Sequence, residues 1–206
     1  MAIVAKVSPK YTGDYLKGGD IGRRIDVHED RIQNWFLAHA KTLATTPDGQ
    51  FAALNLALAY FESYEVLRSG LDSTSQSRTF FRCGFLDVFA GPYKSPTGGP
   101  AAFTPEKVAD FVYENARCGL EHTGMSRFGF AIGGSAPFTV SGSSSGAISA
   151  IFVNVVGLVE KIDAHFTEYV TRLRDPNNAS LRAAFTASWE RYNPETPLTL
   201  PNAPLP

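Results

Sequence analysis

Apolar residues recur at intervals of three and four along most of the chain, and that spacing predicts helices. Ile32, Trp35, Phe36, His39 and Leu43 fall on one face of a helix over 26–44, with Asp26 as its cap. Thr46-Pro47-Asp48-Gly49 reads as a turn. A second helix over 50–69 stops at Gly70, a residue suited to a left-handed end. It is apolar round most of its circumference, through Phe51, Leu54, Leu56, Leu58, Tyr60, Phe61, Tyr64 and Leu67. Such a helix belongs in the middle of a bundle. Phe80, Phe81, Phe85, Leu86 and Phe89 mark a third helix over 76–90, and the Gly/Pro-rich stretch 91–100 reads as a loop. Thr104-Pro105-Glu106 then supplies a capping hydroxyl, a proline in the first turn and an acid near the positive helix end. The helix it starts continues through Val108, Phe111 and Val112.

After Gly124 the period changes from helical to alternating. Phe128, Phe130 and Ile132 alternate with Arg127, Gly129 and Ala131, and Phe138 and Val140 follow Gly133-Gly134-Ser135. This pattern predicts a small β-hairpin near residues 126–141. The Ser/Gly stretch 141–146 lacks the Gly-Lys-Ser/Thr ending of a phosphate loop and reads as a linker. The longest helix is expected over 147–174, with the stripe Ile148, Ile151, Phe152, Val155, Val159, Ile162, Phe166, Tyr169 and Leu173, broken by Asp175-Pro176. A last helix over 179–192 carries Leu181, Phe185 and Trp189. The fold class is therefore mostly α: a bundle of about six helices with one inserted hairpin. Residues 1–25 form an irregular N-terminal arm, 26–192 a single helical-bundle domain and 193–206 a Pro-rich tail. Leu54, Leu58, Phe61, Phe111, Val155, Val159 and Ile162 are the expected core.

Composition narrows the function classes. The 206 residues fit one domain and are 44% hydrophobic, with 15 Phe and 8 Tyr, enough for an aromatic core. A formal net charge of −1 gives no bulk basic field for long nucleic acid, so an RNA substrate needs a local patch. Cys83 and Cys118 are too few for a disulfide framework and lack zinc-ligand spacing. No His-Glu-x-x-His pattern, acidic cluster or nucleophile elbow occurs, which predicts neither a metal nor a cofactor. No charged segment followed by an apolar run opens the chain, and the apolar stretch 147–159 falls short of a membrane span of ~20 residues. The expectation is a cytoplasmic protein with no membrane partner.

The place that looks like chemistry is Tyr113-Glu114-Asn115-Ala116-Arg117-Cys118-Gly119-Leu120-Glu121-His122. A guanidinium is a permanently charged fork that matches phosphate oxygens, and an imidazole moves protons near neutral pH. The two are sufficient parts for cleaving an RNA backbone without a metal. An Arg followed after four residues by His, on a helical bundle, resembles the signature of the HEPN family. That family contains metal-independent ribonucleases of toxin–antitoxin and defence systems, together with inactive relatives that only bind. The resemblance implies a homodimer with a composite cleft, an RNA substrate and an antitoxin-like protein partner. It also implies His122 as general acid/base and Arg117 as stabiliser of charge on the phosphoryl oxygens. Asn115 would orient the scissile phosphate. Glu62, on the Asn55–Glu62–Ser69 flank of the second helix, would face the motif helix and hold Arg117 or His122. The residue after the arginine is commonly polar in active members, and here it is Cys118.

The same residues also have an ordinary explanation. Arg117 and Glu121 are an i, i+4 pair of the kind found on helix surfaces, and Glu62 fits a solvated stripe. A five-residue step turns an ideal helix by about 140°, so Arg117 and His122 converge only if the helix breaks at Gly119 or ends near Glu121. The alternative function is a non-catalytic helical interaction or nucleotide-binding module, such as an inactive HEPN relative.

Overall fold

The computed structural model describes residues 6–97, 101, 103–143 and 146–193. Among the described residues the chain forms six helices, each α stretch counted together with the π-helical stretch continuous with it, and a small three-stranded sheet. The first helix runs unbroken through α1 (Ile21–Arg31), a wide π-helical stretch (Ile32–Leu37) and α2 (Ala38–Ala44). Then come α3 (Gln50–Ser69), α4 (Ser77–Val88) and α5 (Pro105–Val112). The last of these continues through a second π-helical stretch (Tyr113–Arg117) into α6 (Cys118–Thr123). The strands β1 (Phe130–Ile132), β2 (Phe138–Gly142) and β3 (Ile148–Val153) precede α7 (Val155–Arg174) and α8 (Ala179–Tyr192).

Side-chain caps open α1, α5 and α7, and two starts differ from the expected ones, those of the first helix and of α7. Thr104 caps α5 through Lys107 N–H, as its Thr-Pro-Glu signal predicts. The first helix begins at Ile21 rather than Asp26, because the Asp20 carboxylate accepts the Gly22 N–H at 2.9 Å. The irregular arm is therefore shorter than 1–25, and its described part packs on the body. Arg31 Nε donates to the Val7 carbonyl at 2.5 Å, and Lys10 N–H to Asp30 at 2.7 Å. Gly70 ends α3 at φ +76°, and a Cβ there would stand 3.0 Å from the Ala184 backbone of α8.

The hairpin is corrected. β1 and β2 do not pair with each other; both pair with β3, in the order β1-β3-β2, with β1 parallel and β2 antiparallel to it. The hairpin joins β2 to β3, and residues 148–153, expected to open the longest helix, are its second strand. The apolar run there suits either period, but Ile148, Ile151 and Val153 are β-branched, and Ile151 and Val153 alternate inward. Asn154 then caps α7 by accepting the Gly157 N–H at 3.1 Å.

One hydrophobic core runs from Ile25 to Trp189, with α3 at its centre against α2, α4, α7 and α8. Leu54, Leu58, Phe61, Val155, Val159 and Ile162 are buried as expected, whereas Phe111 is only half-buried. Phe61 meets Phe81 at 5.3 Å and Phe85 at 5.2 Å between ring centroids, and Phe85 meets Phe138 of the sheet at 5.2 Å. Gly84 is what lets α4 come this close. A Cβ there would stand 2.0 Å from the Phe61 carbonyl oxygen.

Phe61→Ala should lower the unfolding free energy by about 3–5 kcal/mol in chemical denaturation. Gly84→Ala should cost at least ~2 kcal/mol by forcing the helices apart. Losses under about 1 kcal/mol in both would show that this crossing is not central.

Candidate functional site

Arg117 closes the second π-helical stretch and points at α3. Its Nη2 donates to Glu62 Oε2 at 3.0 Å and its Nη1 to Glu121, while the guanidinium carbon lies 5.6 Å from the Tyr113 ring centroid. Glu62 also accepts the Ser77 hydroxyl at 2.6 Å, and Tyr113 OH donates to that same Ser77 oxygen at 3.2 Å. The expected approach of Glu62 to the motif helix is thus present, and it reaches Arg117 rather than His122. The two partners, Arg117 and Glu62, are 19% and 18% exposed, intermediate between a surface pair and a buried one. The Arg117 Nε is buried without a partner among the described residues.

His122 is elsewhere. No break occurs at Gly119 and no end at Glu121; the helix continues to Thr123 and closes at Gly124, φ +71°. The five-residue step therefore stands at its helical value of about 140°, which turns His122 away from Arg117. His122 is exposed and makes no hydrogen bond among the described residues. Asn115 is spent on its own helix, donating to the Phe111 carbonyl at 3.0 Å, and Cys118 is a half-buried free thiol. The structure groups Arg117, Glu62 and Glu121 and leaves His122 out.

Both motif glycines have architectural reasons. Gly124 is the left-handed stop. A Cβ on Gly119 would stand 2.6 Å from the Met125 carbonyl oxygen and 3.2 Å from Arg127 N, where the chain folds back over the helix. That return is fixed by Arg127 N–H donating to the Asn115 carbonyl at 2.7 Å. The surrounding charges are balanced as well. Arg78 pairs with Glu114 at 2.6 Å and Arg82 with Asp110 at 3.5 Å, so three arginines, with Arg117, face four carboxylates. A phosphate approaching this strip meets no unpaired cation among these three.

Two polar clusters escaped the sequence reading. On α3, α4 and α7, Tyr60 OH lies 2.8 Å from His165 Nδ1, Asp87 lies 3.6 Å from His165 Nε2, and Tyr64 OH donates to Asp87. Burial lowers the affinity of His165 for a proton and outweighs the Asp87 carboxylate, while burial raises both tyrosines. The second cluster is His28 with Tyr169. Burial, helped by Arg31, lowers the His28 pKa to about 3 and keeps the imidazole neutral. The available signal was that tyrosines on buried helix faces need partners for their hydroxyls. Sequence spacing does not say which helix supplies them. Among the described residues no three His, Cys, Asp or Glu side chains converge on a metal-sized site, and no helix is long and apolar enough to cross a membrane.

An apolar groove of about 260 Å³ runs between the first helix and α3, lined by Ile32, Phe36, Leu37, Leu56, Ala59 and Tyr60 among others. Trp35 and Phe36 stand 42% and 41% exposed beside it. Comparison with known proteins returned no match: no family model fits the chain, and neither a curated protein nor a solved structure matches it.

His28 and His165 both bind a proton less readily folded than unfolded, where the ordinary value is about 6.5. As the pH falls below about 6.5, the unfolded chain gains protons that the native chain refuses, so stability falls. The slope is at most about 1.4 kcal/mol per pH unit for each histidine. Melting temperature should therefore drop steadily between pH 7 and 4.5, and His28→Leu should flatten the profile. An unchanged slope in that variant would mean that His28 titrates normally in the native state.

Proposed function

We propose that the chain is a non-catalytic helical binding module, with the Arg117–Glu62–Glu121 network serving as a clamp and the groove between the first helix and α3 as the recognition surface. The observation that carries this is the state of Arg117. Two carboxylates and an aromatic ring take up its guanidinium, so stabilising a phosphoryl charge would first require dismantling an ion-pair network. The groove supports the second half of the reading. Its lining is uncharged, it is flanked by exposed aromatic residues, and one wall is a π-helical stretch, a feature that often accompanies functional sites.

A second reading, the HEPN-like metal-independent ribonuclease, is favoured by one feature: His122 is exposed and unpartnered, open to a substrate. It requires a homodimer whose second copy completes the cleft, and it brings with it an RNA substrate and an antitoxin-like partner. Arg117 would then need to exchange Glu62 for phosphate.

The two readings separate in one pair of measurements. Under the binding-module reading, mixed RNA incubated with the protein in EDTA over pH 6–9 stays intact. Arg117→Ala, which strands Glu62 beside Ser77, should cost about 1–2 kcal/mol, between the ranges for exposed and buried pairs. In a chain of this length that lowers the melting temperature by roughly 3–6 °C. RNA products ending in 2′,3′-cyclic phosphate, lost in His122→Ala with the melting temperature unchanged, would establish the ribonuclease instead.

A further inference from the structure

Ala59, Ser63, Val66 and Gly70 follow one another at steps of four, three and four residues, which puts them on one face of α3. The second half of that strip is covered. Gly70 lies against the Ala184 backbone, and the Ser188 hydroxyl donates to the Val66 carbonyl at 2.7 Å, so α8 runs along α3 towards the α3 N-terminus. The same helix covers part of the first helix. Phe185 meets the His28 ring at 5.5 Å between centroids, and the Arg31 guanidinium lies 5.1 Å from the Trp189 ring centroid. The first half of the strip is open: Ala59 and Ser63 wall the apolar groove, with Ile32 and Phe36 on the first helix. The groove is therefore the continuation of the seam that α8 fills.

α8 ends where that groove begins. On one wall, Asn193 lies about 7.5 Å beyond Ser188 along the helix, and Ser63 about 4.5 Å beyond Val66 in the same direction. On the other, Arg31 Nη1 donates to Asn193 Oδ1 at 2.8 Å, and Arg31 is the residue before Ile32. Residues 194–206 follow from there, with five prolines, three leucines and Glu195 as the single charged side chain. The groove lining is likewise uncharged. From Ile32 to Ala40 the groove is about 12 Å long. An extended proline-type chain covers that distance in about four residues, so the segment has ample reach. Trp35 and Phe36, 42% and 41% exposed, supply the flat ring faces on which extended proline segments dock.

We infer that residues 194–206 lie in this groove as an extended strap, with Pro197, Leu198 and Leu200 supplying its apolar contacts. The inference rests on reading the groove as a recognition surface and names what that surface recognises: an uncharged, extended segment of leucine and proline, supplied first by the chain itself. A protein partner of the module must then present the same chemistry and displace the strap.

Trp35 reports the strap, because the other tryptophan, Trp189, is only 4% exposed. In the full chain, Leu198→Asp combined with Leu200→Asp alters nothing in the core and should raise the quenching of Trp35 fluorescence by acrylamide. A synthetic peptide of residues 194–206 should bind this variant saturably and restore the shielding. The same peptide carrying Leu198→Ser and Leu200→Ser should not. The unsubstituted chain should bind the peptide about tenfold more weakly than the variant does, the ratio expected when a peptide of ~0.1 mM affinity competes with a tethered copy at an effective concentration on the order of 1 mM. Ala59→Arg, at an exposed position on the groove wall, should abolish peptide binding when added to the variant. Quenching that the aspartates leave unchanged, or a peptide that fails to bind the variant, would overturn the inference and leave the groove to an outside partner. Shielding that grows with protein concentration, with dimers in light scattering, would overturn it in favour of exchange between copies. RNA cleavage in the earlier assay would remove the module reading without altering any of these outcomes, so the two failures are distinguishable.

Discussion

Everything in this fold is arranged around a helix that has nearly no polar side. α3 is apolar round most of its circumference, and a helix of that kind is stable in water only when other helices cover it. α2, α4, α7 and α8 do so, and the closest of these approaches depends on a single missing methyl group at Gly84, which lets α4 settle against the Phe61 carbonyl. Once α4 is fixed, Phe81 and Phe85 close over Phe61, Phe138 brings the sheet onto Phe85, and Ser77 is carried to Glu62. The polar network at the motif is therefore a consequence of the core crossing. Arg117 finds Glu62 because α4 and the α5–α6 helix are both laid against the same flank of α3.

That dependence changes the meaning of the motif. Read alone, an arginine, two glycines and a histidine near one helix end suggest a reactive centre. In the folded chain each has a separate mechanical task or none. Gly119 clears a path for the returning backbone, Gly124 stops the helix, and Arg117 neutralises Glu62 and Glu121. His122 is left on the outside. Within one copy of the chain, an unbroken helix keeps a pair five residues apart from sharing a direction.

The legible parts were those with local causes. Five of the six helices announced themselves by period and by caps such as Thr104 and Gly70, and the flank carrying Glu62 could be read from its seven-residue spacing. The first helix was recognised but its start was misplaced by five residues, because Asp20 and Asp26 are both competent caps and only packing of the arm chooses between them. Strand 148–153 was read as helix because an apolar run beside an amphipathic helix satisfies both periods, and its identity is decided by the partners β1 and β2. The polar clusters were invisible for the same reason. His28, Tyr60, Tyr64, His165 and Tyr169 each resemble ordinary stripe residues on their own helices, and their pairing exists only across helices.

A bundle this aromatic can tolerate buried polar tips only where each finds a partner, since an orphaned donor or acceptor forfeits the hydration it had in the unfolded chain. The Tyr60–His165–Asp87–Tyr64 cluster meets that condition internally, with an ionised or ionisable member at the rim where Asp87 reaches solvent. His28 of α1 and Tyr169 of α7 do not meet it, although their rings lie edge to face. The difference is position. The satisfied cluster lies where α4 closes over α3 and α7, whereas His28 is packed among Phe166 and Tyr169 of α7 and Phe185 of α8, rings that offer its Nε2 no hydrogen-bond partner. An imidazole and a phenol left without partners in a closed aromatic core are a local cost to stability, which the surrounding ring packing has to offset.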